Sequence, residues 1–487
     1  MFLGIDIGTS GVKAIVLDEG GNVSAQGTAA LGVQRPEPGW SEQDPEAWWE
    51  ATCSAVKAID SGIRGQVRAI GIAGQMHGAV LLGSDDRPLR PAILWNDGRS
   101  EAECEELEAL VPDLRDVTGN IAMPGFTAPK LLWVRKHEPE VFDRIATVLL
   151  PKDYVRLVMT GAKATDLSDS AGTLWVDVSK RSWSDKVLAA TGLDRDAMPR
   201  LNEGPEQTGI LRADVAQQWG MARVPVMAGG GDNAAGAAGI GVVGDGDALL
   251  SLGTSGVIFV ATSEFRPNPA RAVHAFCHCV PDMWHQMSVH LSAASCIDWV
   301  ARLTGSAGPA DVFTKAEAAG AGAGPEVFLP YLSGERTPHN DARVRGAFLN
   351  LDNDSDVGRL SQAVLEGVAF ALADGLDALR DAGSEIDQLS VIGGGARSQY
   401  WGQIISAACD VPLVYLKDGE VGPALGAARL AQIGVDGGSP ADICSPPPVF
   451  HRIDPDQGIV DRLAPAKSVF RQAYSRITPR KGTIDVR

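Results

Sequence analysis

The stretch Gly8-Thr9-Ser10-Gly11-Val12 recurs as Gly253-Thr254-Ser255-Gly256-Val257, 245 positions later and near mid-chain. A repeat half a chain apart implies two related halves. Each copy follows an apolar run (Leu3–Ile7; Ala248–Leu252) and precedes another (Ala14–Leu17; Val257–Val260), which predicts a tight turn between two strands in each half. Glycines that tolerate positive φ, with the hydroxyls of Thr9, Ser10, Thr254 and Ser255, make concavities of backbone N–H groups suited to phosphate. Two such turns facing one another would clamp a nucleotide. The repeat alone also fits two ordinary hairpins that happen to match.

At 487 residues and 45% hydrophobic, the chain can build two to four domains, and the repeat favours two. We place the division at Gly244-Asp245-Gly246, giving residues 1–243 and 244–487. A formal charge of −18, from 43 basic and 61 acidic residues, argues against nonspecific nucleic-acid or anionic-membrane binding, which needs a positive surface. Small-molecule chemistry fits better. Asp6 interrupts the one early apolar run, so no secretory pattern is visible, and Ala248–Ser263 is too short and hydroxyl-rich to cross a bilayer. Seven scattered cysteines fit reduced thiols and a cytoplasmic protein. His274, Cys277, His278, Cys279 and His285 resemble a zinc site in composition. However, Phe276–Val280 alternates like a strand, which would send Cys277 and Cys279 to one face and His278 to the other. The mildly basic Arg471–Arg487 stretch reads as a solvated tail.

The pattern along the chain is α/β. An amphipathic stretch spans Pro45–Ile63, a strand follows at Val67–Ala73, and helices are predicted at Trp48–Ile59, Ala102–Leu110, Leu131–Phe142 and Tyr154–Met159. The Pro- and Trp-rich region from Leu81 to Thr208 exceeds what a nucleotide core needs and reads as an insertion shaping a substrate pocket. A strand at Val224–Met227 leads through Gly229-Gly230-Gly231 into a small-residue helix opened by Asp232. Beyond it, Lys315–Gly324 reads as a surface loop or helix end, and Ser361–Leu379 as a helix with a buried face. Leu389–Ser398 reads as strand, glycine turn and helix, and Gly422–Ala428 opens a further helix with a small face for close packing.

Phosphoryl transfer needs positioning, charge neutralisation and a metal more than covalent help. Asp6, on the strand just before the first turn, is placed to act beside magnesium, a reading favoured over a strand-end Asp that merely caps the turn. Asp232, emerging at a helix start through three glycines, is placed either as a helix cap or as the base that takes a proton from an attacking hydroxyl. Gly239–Gly244 matches G-x-G-x-x-G but follows a helix and runs toward a strand, so it is not a dinucleotide fingerprint. The chain holds no Gly-Lys dipeptide and therefore no Walker loop.

Together, Gly4–Lys13, the Gly-Thr-Ser-Gly repeat, Gly229–Gly236 and Gly393–Ala396 resemble the FGGY carbohydrate kinases, with the match running from residue 2 to about residue 432. That resemblance implies two actin-like ATPase domains, each on a ribonuclease-H-like core, with a nucleotide cleft between them. Gly125–Val134 is similar to the family's first signature. The second, at Gly346–Glu366, departs from it: Asn350 stands where glycine is usual and Arg359 where a polar or acidic residue is usual. Within the family, Ser41–Pro45, Gln75–Gly78, Leu94–Arg99, Met123–Trp133 and Leu332–Pro338 resemble the members that phosphorylate D-xylulose at its 5-hydroxyl. What this implies is a catalytic pair, Asp232 as base and Asp6 beside the γ-phosphate, both on the magnesium side. It further implies sugar contacts from Met76, His77 and Asn233, and phosphate contacts from Gly8, Thr9, Ser10, Gly11 and Lys13 and from Gly253, Thr254 and Ser255. Gly393, Gly394, Gly395 and Ala396 would meet adenosine. Trp95, Asn96, Asp97 and Phe126 are further pocket candidates. The expected ligands are ATP, Mg2+ and a small sugar; a homodimer stays open. The rival readings are a kinase for ribulose, gluconate, fuculose or glycerol, and a non-enzymatic actin-like ATPase. Lobe closure would pivot near Gly244.

Overall fold

Each glycine-threonine-serine turn joins the first two strands of a seven-stranded sheet in the computed structural model, which describes residues 1–417 and 422–477. In the first sheet, Phe2–Ile7 pairs antiparallel with Gly11–Leu17, and that strand with Val23–Ala30. On its other side Phe2–Ile7 runs parallel to Ala69–Gly74, which in turn runs parallel to Pro225–Met227. The second sheet repeats the plan. Ala248–Leu252 pairs antiparallel with Gly256–Thr262, then Trp284–His290, and parallel with Leu389–Ile392, then Leu413–Leu416. The two halves share one topology, which is what the peptide repeat predicts.

Local chemistry sets the elements. The Pro45–Lys57 helix starts where Asp44 accepts the Glu46 N–H at 3.0 Å and Pro45 fixes the first φ, and it buries Trp48, Ala55 and Val56. The stretch predicted as one helix over Leu131–Phe142 is two, Thr127–His137 and Pro139–Phe142. Pro139 pushes Glu138 out of the helical region, to φ −134° and ψ 55°. The strand predicted through Val280 ends at Cys277, so the alternation argument for Cys279 fails. All seven cysteines are buried and free, and among the described residues no cluster of three or more His, Cys, Asp or Glu side chains is arranged to hold a metal ion. Lys315 lies in the Pro309–Ala319 helix, and Gly320 ends it.

The tail reading needs correction. Arg471 lies in the Gln457–Ile477 helix, donates to Asp374 at 2.7 Å and is flanked by buried Phe470 and Ala473; residues 478–487 lie outside the described residues. The departures in the second signature have a structural basis. Asn350 takes a left-handed φ of 59°, which asparagine tolerates, and Arg359 pairs with Glu326 at 2.7 Å and Asp352 at 3.1 Å.

The Pro423–Asp436 helix, late in the chain, packs on the first sheet. A Cβ at Gly4 would stand 1.9 Å from the Ala424 carbonyl oxygen, and one at Gly71 would stand 1.9 Å from that of Ala427. Backbone meets backbone there. The same helix crosses the Asp232–Gly239 helix, where a Cβ at Gly426 would lie 1.8 Å from the Ala235 oxygen. No described helix is long and apolar enough to cross a membrane.

Candidate active site

Parallel strands deliver the candidate groups to one end of each sheet, the side where open α/β sheets bind ligands. Asp6 lies next to the end of the first strand and the Gly8–Gly11 turn follows it, Gln75–His77 follow its parallel neighbour, and Asp232 follows Gly230–Gly231, which pairs with Ala73 and Gly74. In the second sheet, Gly253–Ser255 and the Gly393–Ala396 turn leave adjacent parallel strands. Gly393, at φ 94°, lies where a Cβ would come within 2.8 Å of the Leu252 oxygen, so this turn packs on the end of the neighbouring strand only because glycine stands there. Both glycine-threonine-serine turns are closed, by Gly8 N–H to Gly11 O at 3.0 Å and Gly253 N–H to Ser255 O at 3.1 Å.

Between the halves lies a cavity of about 680 Å³. Met76, His77, Trp95, Phe126, Asp232 and Asn233 line it from the first half, and Ser255, His274, Phe276 and Arg336 from the second. The insertion does supply pocket walls, through Trp95–Gly98 and Met123–Phe126. Asp97 forms part of a rigid one, since it pairs with Arg99 at 2.7 Å while that guanidinium stacks 3.6 Å from the Trp40 ring.

Asp6 Oδ1 is buried without a hydrogen-bond partner. Burial first, and the Asp232 carboxylate second, push its pKa up to about 7, against the pull of Lys13, its cross-strand neighbour. Asp232 opens its helix as the first residue after Gly231, and its Oδ1 accepts from Asn233 N–H at 2.8 Å and Asn233 Nδ2 at 3.0 Å. Burial raises it to about 6 although these bonds favour the anion. Two carboxyls thus lie near enough for Asp232 to act on Asp6, and burial makes each resist ionising. An unpartnered buried oxygen on Asp6 fits a metal-bound water, so the residues present suit magnesium.

The backbone carrying Asp232 is held from beneath by residues that sequence reasoning missed. Ser168 Oγ accepts the Gly231 N–H at 3.0 Å and donates to Asp166, whose other oxygen meets Lys152 Nζ at 2.8 Å. Arg156 donates to the carbonyls of Met227, at 2.7 Å, and Ala228. Lys152, Arg156, Asp153, Asp166 and Asp169 are all fully buried, and burial raises the Asp169 pKa well above normal. Lys and Arg inside a helix otherwise reading as amphipathic were the one available signal.

His77 sits at φ 68°, a strained conformation for a side-chain-bearing residue. Its carbonyl accepts from Lys130 Nζ at 2.8 Å and Thr127 Oγ1 at 3.1 Å, which fixes the strain. Lys130 is itself fully buried, and burial lowers it to about 7. The imidazole Nδ1 lies 2.6 Å from the Gly172 oxygen. A carbonyl only accepts, so Nδ1 carries the proton; burial and then Lys130 hold the ring pKa near 3, leaving Nε2 a bare acceptor. The Thr9 hydroxyl, expected among the phosphate donors, donates instead to Gln75 Oε1 at 2.8 Å and accepts from Trp95 Nε1 at 3.0 Å. It ties the first turn to the pocket wall.

The N-terminal domain model of the FGGY family of carbohydrate kinases matches residues 1–239, and its C-terminal domain model matches residues 248–435. The chain belongs to the FGGY family of carbohydrate kinases. It is an ATP-dependent sugar kinase. Among curated FGGY proteins it is 54% identical to xylulose kinase of Escherichia coli K12, over 98% of this chain and 99% of that one. A crystal structure titled as a xyloylose kinase from Brucella ovis superposes with a TM-score of 0.94 at 49% identity, covering 98% of this chain and 99% of the other. A gluconate kinase from Lactobacillus acidophilus shares the fold, with a TM-score of 0.93 at 23% identity and 97% of each chain covered. The FGGY fold alone therefore does not name the sugar.

Proposed function

We propose that this kinase transfers the γ-phosphoryl of ATP to the 5-hydroxyl of D-xylulose, with Asp232 as base and Mg2+ held through Asp6 and Asp232. The observation that carries the reading is a cavity between the halves, bordered by Asp232 and by Ser255 of the second phosphate turn. Whole-length identity to xylulose kinases supports the sugar. Asp232 accepts the hydroxyl proton as the oxygen attacks, and its resistance to ionising gives it a pKa suited to that transfer near neutral pH. Backbone N–H groups of Gly8–Gly11 and Gly253–Ser255, with Lys13, bind the phosphates, and Gly393–Ala396 meet adenosine. Met76, His77 and Asn233 orient the sugar. When bound, the metal would neutralise charge on the phosphates.

A division at residues 243 and 244, with closure about Gly244, a cytoplasmic location and a homodimer belong to the same reading. Closure would exclude water, and sedimentation showing twice the 51.1 kDa chain mass tests the dimer. The deciding experiment is a coupled ADP assay with D-xylulose, D-ribulose, gluconate and glycerol at equal concentration. D-xylulose is expected to give the highest kcat/KM, and a higher value for any other acceptor overturns the assignment.

A further inference from the structure

Arg336 reaches the cavity from the second half on a loop that is bonded on both sides. Thr337 exchanges two hydrogen bonds of 3.0 Å with Val289, through its N–H and its Oγ1, and Glu335 Oε1 accepts the N–H groups of Leu291 at 3.1 Å and Arg336 at 2.7 Å. The side chain turns toward His274, with Nη1 3.5 Å from its Nε2. Among the described residues, Arg336 is the one Lys or Arg lining the cavity, and no carboxylate stands within 4.0 Å of its guanidinium. Burial disfavours its charge, with Glu335 opposing in part. A guanidinium only donates, and in the ligand-free cavity Arg336 meets one long contact to a neutral imidazole nitrogen and no anion. Its remaining N–H groups can meet a ligand oxygen.

His77 stands at the same end. Phe126 packs edge-on against both His77, at 4.8 Å between centroids, and His274, at 5.6 Å. That end therefore offers a fixed donor fork at Arg336 and a bare acceptor at His77 Nε2. The chemistry of the substrate supplies the match. A 2-ketopentose can close a furanose ring only through O5, so a sugar phosphorylated at O5 must be bound open, with its C2 carbonyl free beside the C1 hydroxyl.

We propose that Arg336 binds the C2 carbonyl oxygen of the open ketose while the C1 hydroxyl donates to His77 Nε2, so that this pair selects α-hydroxyketones over polyols. The inference rests on the reading that a sugar fills this cavity.

The test compares the KM for D-xylulose with the inhibition constant of xylitol, the same chain with its carbonyl reduced, in the wild type, Arg336→Met and Arg336→Lys. A lost charged hydrogen bond corresponds to roughly a 10- to 150-fold rise in KM for Arg336→Met, with xylitol inhibition changed less than threefold and the KM for Mg·ATP unchanged. Arg336→Lys keeps the charge without the fork and should fall between. An unchanged D-xylulose KM, an equal shift for both sugars, or a rise in the ATP KM instead overturns the proposal. If Arg336→Met fails to fold, the same comparison on Arg336→Lys decides. A wild type inactive on D-xylulose would refute the substrate assignment itself, a distinct result.

Discussion

Asp232 and Asp6 sit where their own charges are disfavoured, which makes them readable by pH. Asp232 must lose its proton to act, so kcat/KM for the sugar should rise about tenfold per pH unit up to a break near 6, the value to which burial lifts it. Asp232→Asn should lower kcat by roughly 10²- to 10⁴-fold while Mg·ATP still binds, measured by coupled assay and calorimetry. Asp6 speaks through stability. Its carboxyl titrates near 3.8 in the unfolded chain and near 7 in the fold, so the folded state holds more protons between those values and loses stability as pH rises through them. Asp6→Asn should therefore stabilise the ligand-free protein at pH 8 by roughly 1–3 kcal/mol, with little gain near pH 4. Thermal melts across that range check the sign. At this scale the sequence located Asp6 near the end of the first strand and Asp232 at a helix start, as the structure has them, because those positions follow from strand ends and glycines. It did not show Lys130 behind His77, or Ser168 and Arg156 behind the backbone that carries Asp232, since those meet their partners across 53, 63 and 72 positions of chain.

Among elements, the crossing of the Pro423–Asp436 and Asp232–Gly239 helices couples packing to chemistry. Gly426→Ala would drive a methyl into the Ala235 carbonyl, with a starting separation of 1.8 Å. The helix opened by Asp232 must move to relieve it. We expect destabilisation of about 1–3 kcal/mol in denaturant titrations and a fall in kcat beyond that of the sugar KM. Gly32→Ala, which meets nothing within 4 Å, should leave both within error. The small-residue face of Gly422–Ala428 announced close packing in the sequence. That its partner would be the first sheet, with Gly4 lying 420 positions before Ala424 and Gly71 lying 356 before Ala427, was not legible, because a glycine stripe specifies distance of approach and not identity.

Across the whole molecule, two sheets of one topology each open on a glycine turn, the second lining the cavity through Ser255 and the first bonded to its wall through Thr9 and Trp95. Binding of Mg·ATP should slow amide exchange in Gly8–Gly11 and Gly253–Gly256 together, while residues remote from the cleft, such as Ser182–Trp183, are unchanged. Protection of only one turn would refute the clamp. The cleft draws its sugar wall from both halves as well, with His77 and Phe126 on one side and His274 and Arg336 on the other.

By itself the sequence determined the two-fold plan, the strand-turn-strand units and both acids, because these are set by short-range rules of periodicity, turn chemistry and glycine conformation. The tertiary structure alone decided what surrounds them. It fixed the neutral His77 with a bare Nε2, the buried ionic platform under Asp232, the capture of the Thr9 hydroxyl by the pocket wall, and the placing of Arg336 and His77 on opposite walls of one cavity. Burial and charge pairing depend on which distant segments exclude water from a group, and that is known only once the chain has closed on itself.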